Sequence, residues 1–307
     1  MCFDCSVDSF RITHSVTISR FTMRKESAVA PQFIAHCIRL DDGTLTRPNA
    51  GWSLEREPRF VSTRRLLETV FVQDRKTLRI ADLGCLEGGY SVEFARMGFQ
   101  VVGIDVRSSN IDACRYVKSK TDLPNLEFVQ DDVWNISRYG EFDAVFCSGL
   151  LYHLDRPKEF LDLLAHVTKK CLILQTHFST ENRPTNWFSK HFRKPLPEGR
   201  VTHSLSEMTV NEGIPGRWYT EFFDDGSFAD RENATQASWD NRRSFWIQRE
   251  YLIQAVYEAG FDTVVEQFDH FAPDIADNIL NGVYREHDRG TFVGIKSGAA
   301  VPGSSTG

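Results

Sequence analysis

The 307-residue sequence has no apolar run approaching the roughly 18 residues that a membrane-crossing helix requires. Its first 25 residues also lack an apolar stretch of about 7 to 15 residues such as a secretory leader carries. Both absences point to a cytoplasmic protein without membrane contact. A strong charge imbalance is missing too: 36 basic against 42 acidic residues give a formal charge of -6, too little for a global field that gathers nucleic acid. Cysteines show no paired framework. Seven of them, an odd number, lie at positions 2, 5, 37, 85, 114, 147 and 171, several inside apolar runs, as expected of reduced thiols. Cys2 and Cys5 form a lone C-x-x-C with no second pair, so no metal centre is expected.

What is present is an alternation of strand and helix patterns. Leu66, Leu67, Val70 and Phe71 have helical spacing over 62–73, with Ser62 available as a cap. There follow "TLRIADLG" (strand), "GGYSVEFARMG" (helix closed by Gly98), "QVVGIDV" (strand), "SNIDACRYVKSK" (helix), "LEFVQDD" and "FDAVFCSG" (strands), "RPKEFLDLLAHVTKK" (helix) and "CLILQTH" (strand). Strands separated by helices pair in parallel through right-handed crossovers, which gives an α/β fold. Near the other end "REYLIQAVYEAG" is a helix stopped by Gly260, and "DTVVEQFD" with "GTFVGIKS" form a hairpin-like pair. Between Phe178 and Phe245 the alternation fails and aromatics accumulate, among them Trp187, Trp218, Tyr219, Phe222 and Trp239. Long connections in compact domains are usually functional, so this segment is expected to be a cap over a ligand.

The segment "LRIADLGCLEGGYS", residues 78–91, runs from strand through glycines into helix and so brings bare backbone N–H groups to the carboxyl edge of the sheet. Two phosphate patterns are absent from it. The dinucleotide fingerprint read from Gly84 requires glycine where Leu86 stands, and the P-loop spacing from Gly84 to Gly89 is followed by Tyr90 instead of lysine. What remains is D-x-G-x-x-x-G, namely Asp82, Gly84 and Gly88, with a carboxylate that repels phosphate and suits a ligand carrying an ammonium.

In these motifs, from about 62 to 180 and again from 246 to 297, the sequence resembles the class I S-adenosylmethionine-dependent methyltransferases. The resemblance implies a Rossmann-like, mostly parallel sheet with one antiparallel C-terminal strand, and S-adenosylmethionine as cofactor. It assigns Asp82, Gly84, Cys85 and Gly88 to the methionine part, with Leu86 as a departure from the usual middle glycine. Asp105, with Val106, ends the second strand where an acid holds the ribose diol, and two acceptor oxygens suit that task. Asp132 and the Val133 N–H stand where adenine is read, with Asp131 as the less favoured alternative. Cys147 and Ser148, followed by Gly149, close the fourth strand near the sulfonium.

Methyl transfer needs an aligned nucleophile and, for a hydroxyl or a protonated amine, a base. His153 in "LYHLDRP" is the leading candidate, since an imidazole titrates near neutrality; a scaffold role for it stays open. Tyr152 and His177 are expected to face the same cavity. For the acceptor, a small molecule methylated on oxygen or nitrogen, Arg217 and Trp218 are the expected contacts, and Trp246 and Phe245 are expected to dock the cap on the sheet. Arg193, within the basic run of Arg183, Lys190, His191, Lys194 and Arg200, would suit an anionic group.

The expected organisation is an N-terminal extension over 1–54, a core over 55–180 and 246–297, an inserted aromatic cap over 181–245 and a disordered Gly/Ser-rich tail over 298–307. The first 50 residues leave three readings open: a cap element, a homodimer contact, or an upstream extension. "YHL" and the "FW...L...AGF" pattern also resemble the tRNA wobble-uridine carboxymethyltransferases, although the net acidity opposes an RNA partner. A noncatalytic cofactor-binding protein whose cap meets a partner is the reading from another class.

Overall fold

The computed structural model describes residues 31–181, 205–222, 231–234, 237–268, 280 and 288–297. Among these, seven strands form the main sheet: β1 (Arg79–Leu83), β2 (Gln100–Asp105), β3 (Leu126–Gln130), β4 (Phe142–Ser148), β5 (Thr168–His177), β9 (Thr263–Gln267) and β10 (Arg289–Ile295). Their order is β3-β2-β1-β4-β5-β10-β9. The first five pair in parallel, and β10 runs antiparallel to both β5 and β9. The mostly parallel sheet with one reversed C-terminal strand is therefore present, and the two last strands pair as expected.

The central strands are apolar on both faces because helices cover both. Helices α1 (Pro58–Val70), α2 (Gly89–Arg96) and α3 (Ser108–Ser119) share one core with Ile80, Val101, Ala144, Phe146 and Ile173. Helices α4 (Pro157–Val167) and α5 (Arg249–Glu258) share the other with Leu83, Ile104, Val145, Leu172 and Phe292. Ile38, Leu40 and Leu54 enter the first core, so part of the N-terminal extension packs against the sheet.

Three local readings change. Helix α1 starts at Pro58, whose fixed φ suits the first helical position, and Ser62 is buried inside it instead of capping it. Helix α4 ends at Val167, and β5 begins at Thr168, which pairs with Phe142; consecutive β-branched residues favour the strand there. The stretch after Phe178 contains strands as well: β6 (Thr209–Asn211), β7 (Ile214–Thr220) and β8 (Arg243–Ile247) form an antiparallel sheet of their own. The β6–β7 loop is the pair Glu212 and Gly213, with φ of +51° and +80°, the geometry of a tight two-residue hairpin. No helix among the described residues is long and apolar enough to cross a membrane.

Strand order reverses direction between β1 and β4. Connections on the two sides of that point leave by opposite faces, which opens a crevice at the carboxyl ends of the strands.

Candidate active site

A cavity of about 660 Å³ occupies that crevice. Its first half lies over β1, β2 and β3 and is acidic. Asp82 is buried near the end of β1, its Oδ2 accepting from Ser91 Oγ at 2.6 Å. Burial raises its carboxyl to about 7, and the neighbouring Asp105 adds to the rise. The chain then turns through Gly84 (φ +66°), whose N–H and that of Cys85 both donate to Ile104 O. Leu86 also sits at positive φ, +49°; its N–H donates to Asp105 Oδ2 at 3.0 Å and its carbonyl accepts from Cys114 Sγ. These bonds hold a non-glycine residue in the left-handed region.

Asp105 is buried at the end of β2, and its Oδ1 accepts from Arg107 N–H and Asn110 Nδ2. Burial raises its pKa. Asp132 lines the cavity while accepting from Trp134 N–H at 3.0 Å. Asp131 is instead engaged by Tyr139 Oη (2.6 Å) and Asn135 Nδ2 (2.7 Å) and is not part of the cavity lining. Three carboxylates with no lysine among them form an acceptor set for a cation, a diol and an amine, and a poor one for phosphate.

The second half lies over β4, β5 and β10. His153 follows β4 in a 3-10 turn and reaches Glu221 Oε1 with Nδ1 at 2.8 Å. An ionised carboxylate only accepts, so a neutral ring meets it with the proton on Nδ1. Glu221, itself buried, is fixed by Ser244 Oγ (2.7 Å) and the Ser238 N–H (3.2 Å). His177, at the end of β5, is held in the same way by Asp288, Nδ1 to Oδ1 3.1 Å. Burial lowers its pKa, against the opposing pull of Asp288. The Tyr152 ring lies between the two imidazoles, 4.2 Å and 4.6 Å from their centroids. Trp246 stacks on His177 and on Tyr219, each at 4.9 Å.

The cavity thus gathers Asp82, Gly84, Cys85, Asp105, Val106, Asp132, Val133, Ser148, Tyr152, His153 and His177. Other expected residues lie elsewhere. Cys147 is fully buried in the core beneath α4, because strand alternation turns it away while Phe146 and Ser148 face the cavity. Gly88 stands behind the turn as the left-handed residue before α2, where a Cβ would meet the Phe128 ring at 2.5 Å. Arg217 is buried outside the cavity lining, its guanidinium donating to the carbonyls of Thr180, Glu181 and Ser206. Trp218 packs edge-on against Phe245, its cross-strand partner, on the opposite face from Tyr219. Trp246, expected to dock the cap, is a cavity wall and donates Nε1 to Tyr152 O. Arg193 and its basic run lie outside the described residues, as do Cys2 and Cys5.

Residues that the sequence left unmarked complete the site. Glu221 sits two positions after Tyr219, a period-2 spacing that could have signalled a shared face once β7 was recognised. His36 comes from the obscure N-terminal region: Gly89 N–H donates to its Nδ1 at 3.1 Å, and burial, together with Arg59 and Arg47, lowers its pKa to about 3. The buried Glu87 carboxylate accepts from the N–H groups of Ile34, Ala35 and His36, which clamps this segment to the glycine turn. Arg107 donates to the carbonyls of Arg231, Ala234 and Ala237, which fixes a piece of the insertion beside Asp105.

Comparison with known proteins bears on the domain and the fold. Residues 80–171 match the family model described as a methyltransferase domain. The chain is 28% identical over 169 residues to a ubiquinone biosynthesis O-methyltransferase of Proteus mirabilis (strain HI4320), covering 51% of this chain and 67% of that protein. It is also 28% identical over 121 residues to the O-antigen chain terminator bifunctional methyltransferase/kinase WbdD of Escherichia coli, covering 36% of this chain and 17% of that protein. The chain thus spans only about a sixth of the length of the latter. In fold it is similar to the N-terminal domain of EvdMO1, crystallised in the presence of SAH and D-fucose, with a TM-score of 0.56 at 20% identity, covering 85% of this chain and 91% of that one.

Proposed function

We propose that this chain, which carries the methyltransferase domain of the class I S-adenosylmethionine-dependent enzymes, methylates a hydroxyl oxygen of a small molecule with His153 as general base. The observation that carries the reading is the pair His153–Glu221, inside the same cavity as the three acids. S-adenosylmethionine supplies, when bound, an activated methyl on a sulfonium. The residues present fit that group: Asp82 suits its ammonium, Asp105 its ribose diol, Asp132 its adenine amine, and the turn at Gly84 leaves backbone space for its amino-acid end. Glu221 fixes the His153 tautomer and steadies the imidazolium that forms when Nε2 takes the acceptor proton. Tyr152, Tyr219 and Trp246 exclude water and wall the acceptor.

The concave, aromatic-walled second half supports a small acceptor rather than a macromolecule. Residues 231–234 and 237–240, tied down by Arg107 and lining the cavity through Ser238 and Trp239, support the role of the insertion as a cap. Five buried thiols support action in a reducing compartment, the cytoplasm.

The test is transfer from isotopically labelled S-adenosylmethionine to a metabolite extract. His153→Asn is expected to abolish labelling while S-adenosylhomocysteine still binds within about twofold of wild type. Undiminished labelling by His153→Asn removes it as the base, and an absence of S-adenosylhomocysteine binding in wild type removes the reading altogether.

A further inference from the structure

The two halves of the cavity differ in the charged groups that line them. Asp82, Asp105 and Asp132 line the first, and the second has Arg289 at the start of β10, in register beside His177 of β5. Among the described residues, three other arginines of the cavity have their charge or donors engaged. Arg59 is paired with Glu57, Arg107 donates to three backbone carbonyls, and Arg47 donates to Ala35 O. Arg289 differs. Its Nη2 donates to Gln175 Oε1 at 3.0 Å, no carboxylate of a described residue is ion-paired with it, and its Nε is buried without any acceptor. A guanidinium offers five N–H donors in a fixed fork, and a buried donor left unmade is costly.

A glycine stands beside the outer end of this guanidinium. Gly149 has φ +79°, and a Cβ there would lie 3.4 Å from Arg289 Nη2 and 3.6 Å from Tyr152 Oη. Glycine therefore keeps clear a spot on which a guanidinium and a phenol converge. Burial holds the Tyr152 phenol above its ordinary pKa, so it remains a donor. Gln175, which accepts from both Ser148 Oγ and Arg289, fixes the guanidinium on the floor of the cavity.

We infer that Arg289 and Tyr152 form an oxyanion subsite, so that the acceptor is a hydroxyl compound that also carries a carboxylate or a phosphate. This rests on the methyltransferase reading and adds the class of acceptor to it. A planar carboxylate or a phosphate matches the guanidinium fork through paired charge-assisted bonds, and Tyr152 adds a third donor. The anion lies over β5 and β10, away from the acids of the cofactor half, so the charges of the two ligands are held apart.

The experiment uses the full chain saturated with S-adenosylhomocysteine and follows binding of benzoate, phenyl phosphate and neutral benzamide by calorimetry. At least one anion is expected to bind about ten- to a hundredfold more tightly than benzamide. Which of the two does so identifies carboxylate or phosphate as the natural group. The preference should vanish in Arg289→Gln and persist in part in Arg289→Lys, while both variants keep the wild-type affinity for S-adenosylhomocysteine within about twofold. Equal binding of the three probes, no binding of any, or a preference that survives Arg289→Gln overturns the subsite. Failure of wild type to bind S-adenosylhomocysteine is a separate result and overturns the methyltransferase reading together with it.

Discussion

At Asp82, pH, stability and cofactor binding are coupled. Burial lifts its carboxyl from the ordinary 3.8 to about 7, so the folded chain keeps this proton long after the unfolded chain has lost it. Below about pH 3.8 both states are protonated and the fold has its full benefit. As pH rises from there through 7, folding must take up a proton that becomes steadily scarcer, and that stability is lost. At about 1.4 kcal/mol per pH unit, the displacement amounts to at most about 4 kcal/mol above pH 7. Asp82→Asn removes the ionisation and leaves an amide oxygen to accept from Ser91. In urea unfolding the variant should match wild type near pH 4 and exceed it at pH 8, by up to that amount. A ligand carrying an ammonium acts in the opposite direction, because it favours the ionised carboxylate. Wild-type affinity for S-adenosylhomocysteine should therefore fall about tenfold per pH unit below 7, and binding at pH 6 should release about one proton, measured by calorimetry in buffers of different ionisation heat. Equal stability of variant and wild type from pH 4 to 8, with an affinity indifferent to pH, would refute the placement of this carboxylate beside the bound cation.

Glu221→Gln keeps the shape of the carboxylate but not its charge, and should lower kcat about a hundredfold or more with cofactor affinity unchanged; an equal loss of both would assign Glu221 to folding instead. Arg217→Ala removes a buried guanidinium that donates to three part-buried carbonyls and should lower stability by about 1 to 3 kcal/mol while the KM for the acceptor stays put, as shown by paired denaturation and kinetics. A raised KM without destabilisation would return Arg217 to the acceptor site. Gly88→Ala forces a Cβ to within 2.5 Å of Phe128 at a left-handed φ, so the melting temperature should drop by several degrees. A variant as stable as wild type would show that the turn has more room than its geometry gives it.

The sequence alone determined the sheet and its cofactor half, because both are local in nature. Apolar runs of five to seven residues broken by glycine turns can form little else than parallel strands when helices separate them. An acid at the tip of such a strand stands at the ligand edge whatever the rest of the chain does, so Asp82 stood out beside its glycines, while Asp105 and Asp132 were marked by the resemblance to a family and not by spacing. Side-chain direction was harder: Cys147 and Ser148 are neighbours in sequence, and only the strand's alternation separates a core thiol from a cavity hydroxyl.

The acceptor half was decided by tertiary structure. Glu221 lies 68 residues from His153 and Asp288 lies 111 from His177, and no local pattern ties either carboxylate to its imidazole. They meet because β7 and β8 form a second sheet against the turn after β4, and because β10 runs back antiparallel beside β5. His36 reaches the glycine turn for the same reason, held there by a carboxylate 51 positions away. Contacts across such separations come from the packing of whole elements, whose free energy is spread over the core and leaves no mark on the residues that finally touch.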